Sequence, residues 1–133
     1  MITTDNTKTK ENSQKEKSHP IDLIKLVEAK FLKNSTEVVE VGDILRIGYI
    51  IPEGDKERTQ YYEGVVIAKQ NRGLGKSFTI RRSVQGIGVE QVFLVNSPKI
   101  VSITKKQSSK VRRAKLYYLR ELSGKSTRLK VKL

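Results

Sequence analysis

Between residues 43 and 105 the apolar positions recur at every second residue, the period of a half-buried strand. In DILRIGYII (43–51), Leu45, Ile47, Tyr49 and Ile51 fall on one face. QYYEGVVIAKQ (60–70) reads as a second strand, where Gly64 predicts a bulge or tight bend. SFTIRR (77–82) is a third, with Phe78 and Ile80 facing opposite to Thr79 and Arg81. GVEQVFLVN (88–96) and KIVSITK (99–105) are the fourth and fifth, joined by a corner at Asn96-Ser97-Pro98. PEGDKER (52–58) reads as a turn and charged loop. Five short strands with glycine at the bends predict a mainly β domain over residues 37–104, a small barrel that is closed or nearly so.

The period changes on either side of these strands. SHPIDLIKLVEAKFLK (18–33) predicts a helix over residues 18–34, with Pro20 at its first position and Asp22 complementing the dipole. Leu23, Ile24, Val27 and Phe31 lie within roughly 100° on its wheel, and Lys25, Glu28 and Lys33 lie outside that stripe. His19, the single histidine, stands at the start of this helix, away from any chemistry. Residues 113–122 predict a second, short helix ended by Gly124. Ala114, Tyr118 and Leu122 share one side of it, and Arg112, Arg113 and Arg120 cluster on the other. Leu116 and Leu119 fall near the basic arc, so they require a partner, either the barrel or another macromolecule. Residues 1–17 are polar and mixed in charge, and predict a disordered extension. The acids Asp5, Glu11 and Glu16 there are unlike a transit peptide.

Charge changes the picture. The chain carries 27 Lys/Arg against 14 Asp/Glu, net +13. Residues 105–133 hold 11 of those cations and a single acid, Glu121, so nearly all the excess sits at one end. Such an imbalance is self-repelling until a polyanion neutralises it, and nucleic acid is the polyanion whose counterion release rewards that most. A membrane surface fits less well, because no strongly amphipathic apolar face accompanies the charge. No apolar run approaches the roughly 20 residues of a membrane span, and with no cysteine there is neither a disulfide nor a thiolate metal site.

Chemistry narrows the classes further. Gly75-Lys76-Ser77 ends like a phosphate-cradling loop, but Gln70 stands where the first glycine belongs, and Phe78-Thr79-Ile80 continues as strand rather than helix. Gly73 and Gly75 read instead as a hairpin tip with positive φ, flanked by Arg72 and Lys76. Glu63 and Glu90 sit on strands without the orienting partner that acid–base catalysis needs. The acids are interleaved with lysines rather than clustered as a metal site requires. The reading is therefore not an enzyme, with no cofactor and no small-molecule substrate.

Cations that could meet phosphates recur in two places. One is the tip at Arg72 and Lys76, continuing to Arg81 and Arg82. The other is the basic extension, with Lys105, Lys106, Lys110, Arg112, Arg113, Lys115, Arg120, Lys125, Arg128 and Lys130. Tyr117 lies among them where a ring can stack on a base or ribose. Tyr118 falls on the apolar side and reads as core. RNA is preferred over DNA because its irregular surfaces accept loops and tails by shape.

At KVRRAKLYYLRELSGK (110–125) the chain resembles the C-terminal signature of the bacterial-type large-subunit ribosomal protein nineteen. The likeness extends upstream through VGDILRIGYIIPEGDKERTQYYEGVVIAKQNRGLGKSFTIRRSVQGIGVEQVFLVNSPKI and covers about residues 21–130. Its phrasing is similar to cyanobacterial and plastid members. The resemblance implies an SH3-like barrel after an N-terminal helix, with a basic C-terminal extension, placed at the face of the large subunit toward the small one. It implies the large-subunit (23S-type) rRNA as partner, the small-subunit (16S-type) rRNA at inter-subunit bridges, and ribosomal proteins three and fourteen as neighbours. It makes Lys110, Arg112, Arg113, Lys115 and Arg120 rRNA contacts, and adds Arg72, Arg81 and Arg82. It favours a chloroplast ribosome, with the bacterial cytoplasm as the alternative. Many members read Arg-Arg-Gly where this chain has Gln107-Ser108-Ser109, so two phosphate contacts are not carried over. Members commonly place a histidine where this chain has Asn96, and that contact is not carried over either. The competing function is a free-standing SH3-like regulator that binds nucleic acid.

Overall fold

The computed structural model describes residues 20–33 and 38–133. The expected disordered extension 1–17, His19 and the outer residues of the expected helix lie outside them. The elements are helix α1 (Pro20–Glu28) and five strands: β1 (Ile44–Glu53), β2 (Lys56–Gln70), β3 (Ser77–Val84), β4 (Ile87–Leu94) and β5 (Ile100–Gln107). They form one antiparallel sheet in the order β4-β3-β2-β1-β5. Its ladder is open, because β4 and β5 each have a single paired neighbour.

The open ladder is strongly coiled. β4 and β1 are three strands apart, about 14 Å in a flat sheet, yet the Phe93 and Tyr49 ring centroids lie 5.8 Å apart. Phe93 also meets Tyr62 at 5.5 Å and Phe78 at 6.0 Å. Around these rings Leu45, Ile47, Val66, Ile80, Val95 and Ile100 are buried, so all five strands or their ends feed one core. The alternation in the sequence set this face, since Leu45, Ile47, Phe78 and Ile80 all point inward.

Two tight turns fix the registers. Gln85 and Gly86 both have positive φ (52° and 79°), the two-residue turn whose twist suits a hairpin. Gly54 (φ 59°) serves the β1–β2 hairpin. That hairpin is longer than expected, because Lys56–Arg58 pair with Ile51–Glu53 as strand where a charged loop was predicted. The β2 irregularity falls between Val66 and Ala68 rather than at Gly64. Gly64 serves close approach instead: a Cβ there would sit 2.6 Å from the Arg81 carbonyl oxygen.

Outside the sheet three expectations are corrected. Helix α1 ends at Glu28, well short of residue 34, and its apolar stripe is exposed: Leu23, Ile24, Val27 and Phe31 each show well over half their surface. It is held to the β2–β3 loop through its polar side, where the Glu28 carboxylate accepts a hydrogen bond from the Leu74 amide (3.4 Å). Just beyond it, the Lys33 ammonium donates to the Ile100 carbonyl (2.9 Å). The expected helix over 113–122 is instead a single 3-10 turn, Tyr117–Arg120, followed by another at Gly124–Thr127. And β5 runs on to Gln107, so Lys105 and Lys106 belong to the sheet rather than to the extension.

The partner that Leu116 and Leu119 required is the sheet. Both are buried with Ile67 and Ala68 on β2, and Val41, Val111, Tyr118 and Leu129 pack around them. The Leu116 amide donates to the Ile67 carbonyl at 2.8 Å. This second apolar cluster lays the basic extension across the end of β2, and the chain end is then tied back. Lys110 N donates to Lys130 O (2.8 Å) and Lys132 N to Ser108 O (2.9 Å), around a bridge between Ser109 and Val131.

Candidate nucleic-acid interface

That tie-back brings together cations far apart in sequence. Lys110, Arg112, Arg113, Arg128 and Lys130 line one cleft of about 650 Å³, with Val111, Tyr118 and Leu129 as its apolar lining and no acid among them. Among the described residues none of the five has a carboxylate within ion-pair distance. The Arg113 guanidinium lies over the Tyr118 ring, 5.0 Å from its centroid, which orders it without neutralising it. Tyr118 is thus core on one side and support for a cation on the other. Five uncompensated cations around one concavity attract phosphates.

The remaining sequence candidates divide by whether a carboxylate already holds them. Arg81 and Arg120 converge on Glu90. Arg81 Nη1 donates to Oε1 at 3.0 Å, and Arg120 donates through Nε and Nη2 to both oxygens at 2.7 Å. A Cβ at Gly88 would overlap the Arg81 guanidinium, so glycine there makes room for the pair. Lys106 Nζ donates to Glu63 at 2.7 Å, and Lys105 pairs with the buried Asp43 at 2.9 Å. These four cations are structural ties first. Contrary to the sequence expectation, Glu63 and Glu90 do have partners, the cations Lys106, Arg81 and Arg120.

Tyr117 is exposed, with the Arg120 guanidinium 4.4 Å and the Lys115 ammonium 5.9 Å from its ring centroid. Arg82 lies over the Tyr62 ring at 4.2 Å, and its buried Nε has no acceptor among the described residues. It lines a second cleft of about 380 Å³, between the β3–β4 hairpin and Leu119–Thr127. Lys125 is exposed in the last 3-10 turn. Arg72 and Lys76 flank the 3-10 turn Gly73–Gly75, where Gly73 has positive φ (55°) but Gly75 does not. Glu28 sits against this tip, and Asn96 Nδ2 donates to Leu74 O at 3.4 Å. Asn96 thus braces the tip from within the chain.

Sequence reasoning missed Asp43 and the role of Glu90. Asp43 is 1% exposed, and Ser108 Oγ (2.7 Å), Glu40 N (3.0 Å) and Lys105 Nζ all donate to it. Burial pushes its carboxyl up, but the Ser108 and Lys105 hydrogen bonds and the Glu40 amide outweigh that and hold it below its ordinary value. Ser108 and Ser109 therefore anchor the extension, one to Asp43 and the other, buried, in the Val131 bridge. Glu90 was legible in principle, because a two-residue turn at Gln85-Gly86 mirrors Arg81 onto Glu90. The Arg120 hydrogen bonds, ahead of burial, hold the Glu90 carboxyl low.

Replacing Glu90 with glutamine is expected to cost about 1 kcal/mol in urea unfolding at neutral pH, because two guanidiniums lose their counter-charge and one of the two acceptor oxygens. Its folded value is lowered, so the contribution is present above the ordinary 4.5 and is lost as pH falls below it. The gap between parent and Glu90→Gln should therefore close on acidification.

Fold and cleft define the class: a small antiparallel β domain with a cationic appendage clamped to its sheet. A family model described as ribosomal protein L19 matches residues 22–132. The large ribosomal subunit protein bL19c of Phaeodactylum tricornutum is 56% identical over 108 residues, covering 81% of this chain and 90% of that protein. The bL19 protein of Microcystis aeruginosa is 52% identical over 108 residues (81% and 90%), and bL19c of Mesostigma viride 53% over 110 residues (83% and 92%). The chain belongs to the ribosomal protein L19 family. It is a structural protein of the ribosome and not an enzyme. The relatives named include plastid-type and cyanobacterial proteins.

Proposed function

We propose that this chain is a structural component of the large ribosomal subunit that binds rRNA through the cleft of Lys110, Arg112, Arg113, Arg128 and Lys130. The observation that carries the reading is that cleft, five cations without a carboxylate partner among the described residues on a buried leucine anchor. Large-subunit (23S-type) rRNA is the occupant that neutralises it. Arg72, Lys76, Arg82, Lys115, Tyr117 and Lys125 extend the contact surface. Lys105, Lys106, Arg81 and Arg120 meet RNA only with the charge left over from their carboxylates. The coiled five-stranded sheet is read as an SH3-like barrel. Small-subunit rRNA at inter-subunit bridges and ribosomal proteins three and fourteen are the further partners proposed from the family resemblance. A chloroplast ribosome is the favoured location, supported by the plastid-type and cyanobacterial relatives. Mass spectrometry of purified ribosomal subunits is expected to find the chain in the large one. Its absence there would favour the free-standing regulator instead.

A further inference from the structure

The outer face of β1 and β2 carries a second arrangement, remote in kind from the basic cleft. Tyr61 is 53% exposed although it sits mid-strand, and the Arg46 guanidinium lies over its ring, 4.4 Å from the centroid. The ring has this position because Gly48 stands directly across the ladder. A Cβ there would lie 3.1 Å from Tyr61 Cε1 and 2.9 Å from Ser102 Oγ. Arg46 stands two residues away, opposite Glu63, but Glu63 is taken by Lys106 at 2.7 Å. Arg46 therefore has no carboxylate partner among the described residues. On the other side of β1, Ser102 and Thr104 pair with Gly48 and Arg46 and present exposed hydroxyls.

We infer that Tyr61 and Arg46 form a stacking platform for one unpaired nucleotide of single-stranded RNA. A nucleobase extends the ring–guanidinium stack on either planar layer, the uncompensated charge of Arg46 meets the adjoining phosphate, and the hydroxyls of Ser102 and Thr104 reach ribose or phosphate oxygens. A base-paired helix does not fit, because its bases are already stacked on one another. The small extent of the platform argues against a protein occupant: it offers one ring, one cation and two hydroxyls, without the apolar centre that a stable protein interface buries.

The inference rests on the RNA-binding reading, and the test separates the two. The full-length chain is titrated with fluorescently labelled octaadenylate, with a blunt RNA duplex and with large-subunit rRNA transcribed in vitro. Tyr61→Ala is expected to weaken octaadenylate binding roughly tenfold, to leave duplex binding unchanged and to leave the salt slope unchanged, since a stacked base releases no counterion. Tyr61→Phe should retain the parent affinity. Gly48→Ala, which displaces the ring without deleting it, should weaken octaadenylate binding as well. If Tyr61→Ala binds octaadenylate as the parent does while rRNA binding persists, the platform is refuted and the basic cleft is untouched. If the parent binds none of the three RNAs, the RNA-binding reading falls and the platform with it.

Discussion

Replacing Arg112 and Arg113 together with alanine is expected to weaken binding to large-subunit rRNA by roughly two to four orders of magnitude at low salt, since each removes a charge-assisted contact of about 1.5–3 kcal/mol. The slope of log K against log salt should fall by about 1.8 if both meet duplex phosphates. Both side chains are exposed in the cleft, and no carboxylate among the described residues holds them, so the unfolding midpoint should barely move. The paired substitution Lys106→Ala with Arg120→Ala is the informative contrast. It removes the same formal charge, but those cations already face Glu63 and Glu90, so their loss should flatten the slope less. Filter binding or anisotropy across a salt series checks both. An unchanged slope in the Arg112/Arg113 variant would remove these two as phosphate contacts.

The contrast shows what the sequence could and could not convey. Net charge and its concentration in residues 105–133 were plain from composition, and so were the strands, because a face lined by Leu45, Ile47, Phe78 and Ile80 is a local pattern. Which cations are spent inside the molecule was not legible, because it depends on pairs far apart in the chain: Arg120 with Glu90, Lys106 with Glu63, Ser108 with Asp43. The turn at Tyr117–Arg120 misled for a different reason. Leu116 and Leu119 are three residues apart, a spacing that lies nearly on one face of an α-helix but eclipses fully in a 3-10 turn. The strain was visible on the wheel, where both leucines fell toward the basic arc. Three residues per turn places them together against Ile67 and Ala68. Conversely, the stripe Leu23, Ile24, Val27 and Phe31 was legible as amphipathic, but periodicity says only that such a face exists, not what covers it.

The acids thus act as sorters of the basic surplus. Asp43 lies just before β1, Glu63 on β2 and Glu90 on β4, and each draws in a cation from β5 or the extension. What they leave over is not spread evenly. Among the described residues it includes the five cations of the cleft beside the Ser109–Val131 bridge, and Arg46 on the outer face.

Asp43 is the most deeply buried of the three, and Asp43→Ala is expected to destabilise the fold by about 3 kcal/mol. The substitution removes the acceptor of the half-buried Ser108 hydroxyl and of the Glu40 amide, where an unsatisfied group costs about 1–3 kcal/mol, and takes one partner from the Lys105 ammonium. The Lys105 part is discounted, since that side chain is 32% exposed and water takes up some of its charge. Asp43→Asn, which keeps the shape, should cost less. The pH dependence has a definite sign. The folded carboxyl titrates below its ordinary 3.8, so its contribution is complete above that value and is lost as pH falls from there through the lower folded value. Urea unfolding of parent and Asp43→Asn should therefore converge only in strong acid, and a gap that closed near pH 6 would contradict the assignment. Because Ser108 and Lys105 lead into the tie between residues 108–110 and 130–132, loosening them also spreads the cleft. Asp43→Ala should then weaken rRNA binding while leaving its salt slope nearly intact, since no cation has been removed, only the frame that gathers them.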